Sequence, residues 1–163
     1  MRSFLLAVAL CFSANVLHAE ESKNLLKPTN LLESWNFEQR DGGKGTVEAT
    51  ETGIKFTVTE VDDTNWHVQA FQWNLDLKEG KSYTLKFKAM SPESRGYSAV
   101  GTINEEDWHE IGLHEDLYTS KQLSEESITF TATDVVEKKN RIGFILGDEK
   151  GTLVIQDMTL TEN

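Results

Sequence analysis

The sequence contains a single cysteine and only two prolines. One thiol allows no internal disulfide and no multi-cysteine metal centre. Two isolated prolines leave no proline-rich linker between domains. Positive charge is also scarce: 16 Lys and Arg stand against 27 Asp and Glu, for a formal net charge of −11. No basic run occurs anywhere, and a surface that neutralises phosphates needs one, so nucleic acid is excluded as a partner. The only apolar run of interest to a membrane, Phe4 to Phe12, falls well short of the roughly 20 residues a helical span requires. Nucleophile-elbow, P-loop, Rossmann-glycine and HExxH patterns are all missing, so no catalytic motif announces itself. No internal repeat is visible.

What remains is 163 residues, of which 38% are hydrophobic, enough for one domain with a real core and too little for two. The N-terminus reads as an export signal: Arg2 supplies the positive start, Phe4 to Phe12 the apolar middle, and Leu17-His18-Ala19 a small-residue exit. Residues 1–19 are therefore expected to be removed as a signal peptide, sending the chain to the periplasm or out of the cell with no membrane attachment. Cys11 lies inside that segment, so the mature chain is expected to carry no thiol. Residues 20–30 read as a polar lead-in and 31–163 as the folded domain.

Within the domain, short segments alternate with a period of two. Ile54, Phe56 and Val58 interleave with Lys55, Thr57 and Thr59; Tyr83, Leu85, Phe87 and Ala89 interleave with Thr84, Lys86 and Lys88. Ile128, Phe130 and Ala132 repeat the pattern, as do Ile142, Phe144 and Leu146. Each is a strand with one buried face. Turn residues separate them at Asp41-Gly42-Gly43, Lys78-Glu79-Gly80-Lys81 and Ser91-Pro92-Glu93-Ser94. The Gly147 to Gly151 turn predicts a hairpin between the last two strands, and the phase slip between Ile155 and Met158 predicts a bulge near Asp157. The segment from Glu105 to Leu113 lacks an apolar helical stripe and is expected to form a turn. Nine or ten strands without βαβ spacing predict an all-β fold, a two-sheet antiparallel β-sandwich of the jelly-roll type.

In a sandwich, function is sought where large or specific side chains occupy the face that should be polar. The segment Trp66-His67-Val68-Gln69-Ala70-Phe71-Gln72-Trp73 sends Val68 and Ala70 to the core and His67, Gln69, Phe71 and Trp73 to the opposite face. Aromatic planes stack on the C–H face of a pyranose, and amides donate to and accept from its hydroxyls. That combination suits a saccharide. A competing reading makes Trp66 or Trp73 a plug at one end of the sandwich. Trp108 sits in an acidic stretch, Asn104-Glu105-Glu106-Asp107-Trp108-His109-Glu110, and is a further platform candidate, with Tyr97 and Tyr118 behind it. The carboxylates there are either a solvated loop or, with His109, the acid-base groups of a glycosidase or lyase. A glycosidase needs two carboxylates on opposite sides of a bond, which contiguous acids do not show. His109 and His114, five apart, lack a zinc-site spacing.

The order of motifs resembles a known family. The pieces are Asn30 to Glu38 at the start, Trp66 to Gln69, the Gly80-Lys81-Ser82-Tyr83-Thr84-Leu85-Lys86-Phe87-Lys88-Ala89 strand, Gly143 to Gly147, and the closing Gly151 to Leu160 strand with Asp157. Together they are similar to the carbohydrate-binding modules of families 4, 9 and 22. The resemblance implies a galactose-binding-like jelly roll that binds β-glucan, xylan or a related polysaccharide, usually beside a secreted glycoside hydrolase. It also implies a structural calcium, with Glu38 and Asp157 at the matching acidic positions. Around Glu125-Glu126-Ser127-Ile128 the chain departs from the family pattern, which commonly has a Trp and a Tyr there.

Three functions are thus in competition: an exported polysaccharide-binding module using His67, Gln69, Phe71, Trp73 and Trp108; a small glycosidase or lyase using Glu105, Glu106 or Asp107 with His109; and a structural envelope protein whose sandwich has lost its sugar site.

Overall fold

Apolar and polar residues that alternate along a strand force one face against a core and the other toward water. In the computed structural model, which describes residues 23–163, that rule governs ten strands: β1 (Asn36–Gln39), β2 (Lys44–Ala49), β3 (Gly53–Glu60), β4 (Val68–Leu75), β5 (Ser82–Met90), β6 (Gly96–Ile103), β7 (Glu110–Tyr118), β8 (Ser124–Thr131), β9 (Asn140–Ile145) and β10 (Gly151–Glu162). The expected signal segment and its Cys11 lie outside the described residues. Two 5-stranded sheets result, ordered β1-β4-β9-β6-β7 and β2-β3-β10-β5-β8. Every pairing is antiparallel. The expected β-sandwich is the observed fold. Among the described residues no helix is long and apolar enough to cross a membrane.

The two inner faces meet in one apolar core centred on Phe144. Its ring lies 5.2 Å from Phe87, 5.8 Å from Tyr97 and 6.1 Å from Trp35, centroid to centroid. Tyr97 is therefore a core residue, 2% exposed, and burial pushes its hydroxyl pKa well up; it is no ligand platform. Asp157 has φ 52° and the β10–β5 register slips between Gln156 and Thr159, which is the bulge the phase change predicted.

Two expectations about how the chain is connected are corrected, besides the turn expected through Leu113, which gives way to β7 at Glu110. The lead-in is not a tail: from residue 23 onward it is docked on the sandwich. Leu25 N donates to Leu160 O at 2.9 Å, Asn24 Oδ1 accepts from Leu160 N at 2.9 Å, and Leu26 is buried at 8% exposure. The Lys27 backbone is clasped by the Gln72 side chain, whose Oε1 accepts from Lys27 N at 2.8 Å and whose Nε2 donates to Lys27 O at 3.2 Å. Gln72, at 1% exposure, is thus spent inside the protein. A buried apolar residue and satisfied backbone groups outweigh the polar composition of that stretch.

The second correction concerns the last two strands, which form no hairpin. β9 pairs with β4 and β6, whereas β10 pairs with β3 and β5, so the Gly147 turn carries the chain from one sheet to the other. Arg95 holds this crossing. Fully buried at 0% exposure, its guanidinium donates to Gly151 O at 3.1 Å, to Gly96 O at 3.2 Å and to Leu146 O. A five-donor planar fork can satisfy three carbonyls at once, which no apolar residue does. Arg95→Met is expected to lower the unfolding free energy by about 3 kcal/mol, the cost of stranding several buried carbonyls. Urea denaturation followed by Trp fluorescence reads this directly. A loss under about 1 kcal/mol would show that water takes the place of the guanidinium.

Candidate functional site

The sheet β1-β4-β9-β6-β7 turns its second face outward, and strand register lays that face out in rows. One row is Glu38, Gln69, Ile145, Ser98 and Asp116; the next is Asn36, Phe71, Gly143, Val100 and His114; the third is Arg141, Thr102 and Glu110. Gly143 leaves the middle row without a side chain, and nothing larger fits there: a Cβ would stand 1.9 Å from Ala70 O. A groove of about 320 Å³ runs over these rows, lined by Arg40, Trp66, Gln69, Phe71, Val100, Thr102, Trp108, Glu110, Arg141 and Ile145.

Its walls are the two exposed tryptophans, Trp66 at 44% and Trp108 at 43%. Trp66 sits on the 3-10 turn Asn65–His67, immediately before β4. Trp108 precedes β7 at φ 50°, following Asp107 at φ 89°. Two successive left-handed residues without glycine cost energy, and here they lift the indole off the sheet. The successive antiparallel pairings across the sheet make β4 and β7 run in opposite directions, so the two rings enter from opposite ends. The rows they flank are four residues apart, roughly 13 Å at about 3.3 Å per residue.

The floor is built around Arg141. Its guanidinium lies 3.9 Å from the Phe71 ring centroid and 4.8 Å from that of Trp108. Arg40 approaches the other wall, 5.9 Å from the Trp66 ring. Glu38 ties the polar groups together: Asn36 Nδ2 donates to Oε1 at 2.6 Å and Gln69 Nε2 to Oε2 at 2.7 Å, with Arg40 Nη2 at 3.3 Å from Oε2 and Arg141 Nη1 at 3.5 Å from Oε1. Arg141 Nε donates to Thr102 Oγ1 at 2.7 Å. Burial lowers the Arg141 pKa, with Glu38 opposing the shift, and a guanidinium stays charged regardless.

Of the residues expected from sequence, Gln69, Phe71 and Trp108 come together in this groove. Phe71 is only 1% exposed, because Arg141 covers it; it presents no open plane. His67 does not reach the groove. Its side chain, 11% exposed, is held 2.7 Å from Asp62 and 3.2 Å from Asp41, with its ring edge-on to Trp66 at 4.3 Å, so it props the wall. Its hydrogen bond holds the Asp62 carboxyl below the usual range. Trp73 lies apart from the groove, in a recess with Lys27, Trp35 and Asn36, and its Nε1 is buried without a hydrogen-bond partner. Sequence reasoning missed Arg141, Arg40, Thr102 and Glu110 as groove residues and gave Trp66 only a plugging role. Arg141 and Ile145 occupy the off-phase of the Ile142-Phe144-Leu146 strand, and that was the available signal.

The acidic loop is braced from within. Glu105 pairs with Lys139, and His109 lies between Asp107 Oδ1 and the Asp134 carbonyl, each 2.8 Å from a ring nitrogen. Both partners accept, so the ring serves both only as the imidazolium. Accordingly the Asp134 carbonyl first, then the Asp107 carboxylate, raise the His109 pKa.

Glu38 does not fit a calcium ion. Its two oxygens already receive four protein donors, two of them guanidinium groups that would repel a divalent cation. Asp157 belongs to the other sheet, where Lys88 Nζ lies 2.8 Å from its carboxylate. The structure thus separates the two acids that the resemblance put together. Among the described residues no group of three or more His, Cys, Asp or Glu is arranged to hold a metal.

Known structures repeat this architecture. A CBM4 structure matches with 23% identity and a TM-score of 0.70 over 79% of this chain and 86% of the other. The N-terminal cellulose-binding domain of Cellulomonas fimi β-1,4-glucanase C matches with 19% identity and a TM-score of 0.64 over 83% and 92%. The second N-terminal cellulose-binding domain of the same enzyme matches with 13% identity and a TM-score of 0.67 over 89% and 97%. At these identities the likeness is one of fold. No curated protein matches the sequence. A family model described as a carbohydrate binding domain does match, over residues 21–149, and with the sandwich and its aromatic-walled groove in view the chain belongs to that carbohydrate-binding family, CBM 4/9.

Proposed function

We propose that this is an exported, non-catalytic polysaccharide-binding module that takes a β-glucan or xylan-type chain in the groove of the β1-β4-β9-β6-β7 sheet. The observation that carries the reading is the pair of exposed indoles, Trp66 and Trp108, at opposite ends of a polar floor. Each offers a plane to a sugar ring, while Gln69, Thr102, Arg141 and Glu110 supply donors and acceptors between them. Catalysis is disfavoured by spacing. Glu38 and Glu110 lie on the two edge strands, four strand spacings across the sheet and four residues along it, hence roughly 23 Å apart, whereas paired glycosidase carboxylates stand about 5 to 9.5 Å apart. Glu105 and Asp107 are already engaged by Lys139 and His109.

Affinity electrophoresis through gels containing xylan, β-glucan, mannan or cellulose derivatives is expected to retard the protein in at least one. Trp66→Ala and Trp108→Ala should each weaken that binding about tenfold or more with an unchanged melting temperature, as truncation of a central aromatic does. Trp73→Ala should leave affinity unaltered. No retardation by any polymer would overturn the reading, and loss of binding only in Trp73→Ala would move the platform elsewhere.

The His109 clamp predicts a pH dependence. A histidine whose folded pKa is raised stabilises its surroundings fully below the unfolded value, about 6.5, and loses that contribution as pH rises through the folded value. Glycan affinity should therefore be highest below about pH 6.5 and fall as pH rises through the raised folded-state value and the Trp108 loop loosens. His109→Gln should flatten the profile; an equally steep profile in that variant assigns the dependence to another group.

The implied calcium is assigned, as part of this proposal, to the recess shared by Asp157, Glu51, Thr29 and Asn30, where it would displace the solvent-exposed Lys88 ammonium from the Asp157 carboxylate. Side-chain and backbone oxygens there are the hard donors calcium takes. Chelation with EDTA should then lower the melting temperature of the wild-type protein and have no effect on Asp157→Asn. Identical melting with and without calcium in the wild type removes the ion from the reading.

A further inference from the structure

The groove gathers two guanidinium groups in a protein that is strongly acidic. Two guanidinium groups, Arg40 and Arg141, share one carboxylate, Glu38, whose lone pairs are also occupied by Asn36 and Gln69. One positive charge is left without a partner in this cluster. Arg141 spends Nε on Thr102 and Nη1 on Glu38, and among the described residues Nη2 makes no hydrogen bond. Arg141 is only 5% exposed, but it lines the groove, so the surface it retains faces a ligand there. Arg40 is 48% exposed and binds Glu38 through a single nitrogen, leaving most of its fork facing outward. Glu110, the carboxylate at the far edge of the groove, is bound by His114.

Neutral sugar hydroxyls require amides and hydroxyls; they do not require an uncompensated, partly desolvated guanidinium. Desolvating a cation is costly unless an anion meets it, and a planar fork matches a carboxylate bidentately. Placing each guanidinium beside a wall indole also sets the charged donor next to the plane on which a pyranose would stack, so one uronic acid residue could satisfy both. With a net charge of −11 the protein repels polyanions at long range. An excess cation confined to the groove therefore acts at contact, as a means of selection.

Resting on the glycan-binding reading above, we infer that the groove is specific for a polysaccharide bearing uronic acid carboxylates, read by Arg141 and Arg40. Titration calorimetry at near-physiological salt with glucuronoxylan and polygalacturonate, each beside its carbodiimide-borohydride carboxyl-reduced form, tests this with neutral β-glucan as reference. At least one acidic polymer is expected to bind about tenfold more tightly than its reduced counterpart, which matches in chain length and linkage and differs only in the carboxylates. Arg40→Gln, at an exposed position that should not disturb folding, is expected to erase most of that difference, and Arg141→Gln to erase it more completely, the readout being the ratio of acidic to reduced affinity within each variant, since both residues also line the groove, with melting temperature measured alongside. Equal binding of acidic and reduced forms overturns this inference and leaves the module reading intact. Preference for neutral β-glucan over every acidic polymer does likewise. A preference for acid that survives in both variants places the carboxylate elsewhere and refutes the role of the two arginines. Binding to none of the polymers removes both this inference and the reading beneath it.

Discussion

The carboxylate of Glu38 is the interaction on which the groove depends. It reaches Asn36 on its own strand, Gln69 on β4 and Arg141 on β9, with Arg40 just beyond the end of β1. Without it, Arg141 would be a desolvated cation lying between two aromatic rings with only Thr102 to receive it. With it, the guanidinium can lie flat on Phe71, the Gln69 amide is held in one orientation, and the floor becomes a fixed array of donors. A fixed array matters because ordering side chains at the moment of binding subtracts from affinity.

The sandwich supplies what this network needs. Strand pairing places Glu38 opposite Gln69 and Arg141 opposite Thr102, so the polar contacts are consequences of register, and register is enforced from the other face by the Phe144 core. A slip of one residue in β9 would bury Arg141 and expose Phe144, which makes the alternative prohibitively costly. The walls obey a different logic. Trp66 and Trp108 stand on irregular backbone just ahead of their strands, and each is braced by a histidine: His67 lies edge-on to Trp66, and His109 closes the loop behind Trp108. Rigid sheet carries the floor, and loops held by charge carry the planes.

This division explains what was legible in the sequence. A period of two exposes β3, β5, β8 and β9, because a half-buried strand must alternate, and the phase slip near Asp157 revealed even a bulge, whereas β6, buried on both faces, has no alternation to read and β7 begins inside the stretch expected to be a turn. Gln69, Phe71 and Trp108 were found because they break the expected polarity of a face. Glu38, Thr102 and Arg141 were not identified as groove residues because each looks like an ordinary polar position on its own strand; their meaning comes from being neighbours, and neighbour relations are set by sheet order. The expected β9–β10 hairpin hid this in particular, since it took β9 out of its place between β4 and β6. The Gly147 turn has the chemistry of a hairpin, and nothing local in it tells that Arg95, some fifty residues earlier, draws the chain across to the other sheet.

The misplaced residues share a cause as well. His67 was given the phase of β4, but the 3-10 turn Asn65–His67 interrupts the extended backbone one residue too early for the alternation to reach it. Trp73 keeps the phase yet lies beyond the groove, beside the chain entry at Lys27, where the strand register slips next to Asn74 at φ 62°. Alternation thus assigns a side chain to a face but not to a place on that face. A binding groove occupies only the middle of a sheet, where the rows are continuous from edge to edge, and aromatic residues at the margin of the same face are free to seal the fold. For a sandwich of this kind, the informative residues are those whose registered neighbours on both sides are polar or absent, as Gly143 is, because only there can a ligand approach the sheet closely.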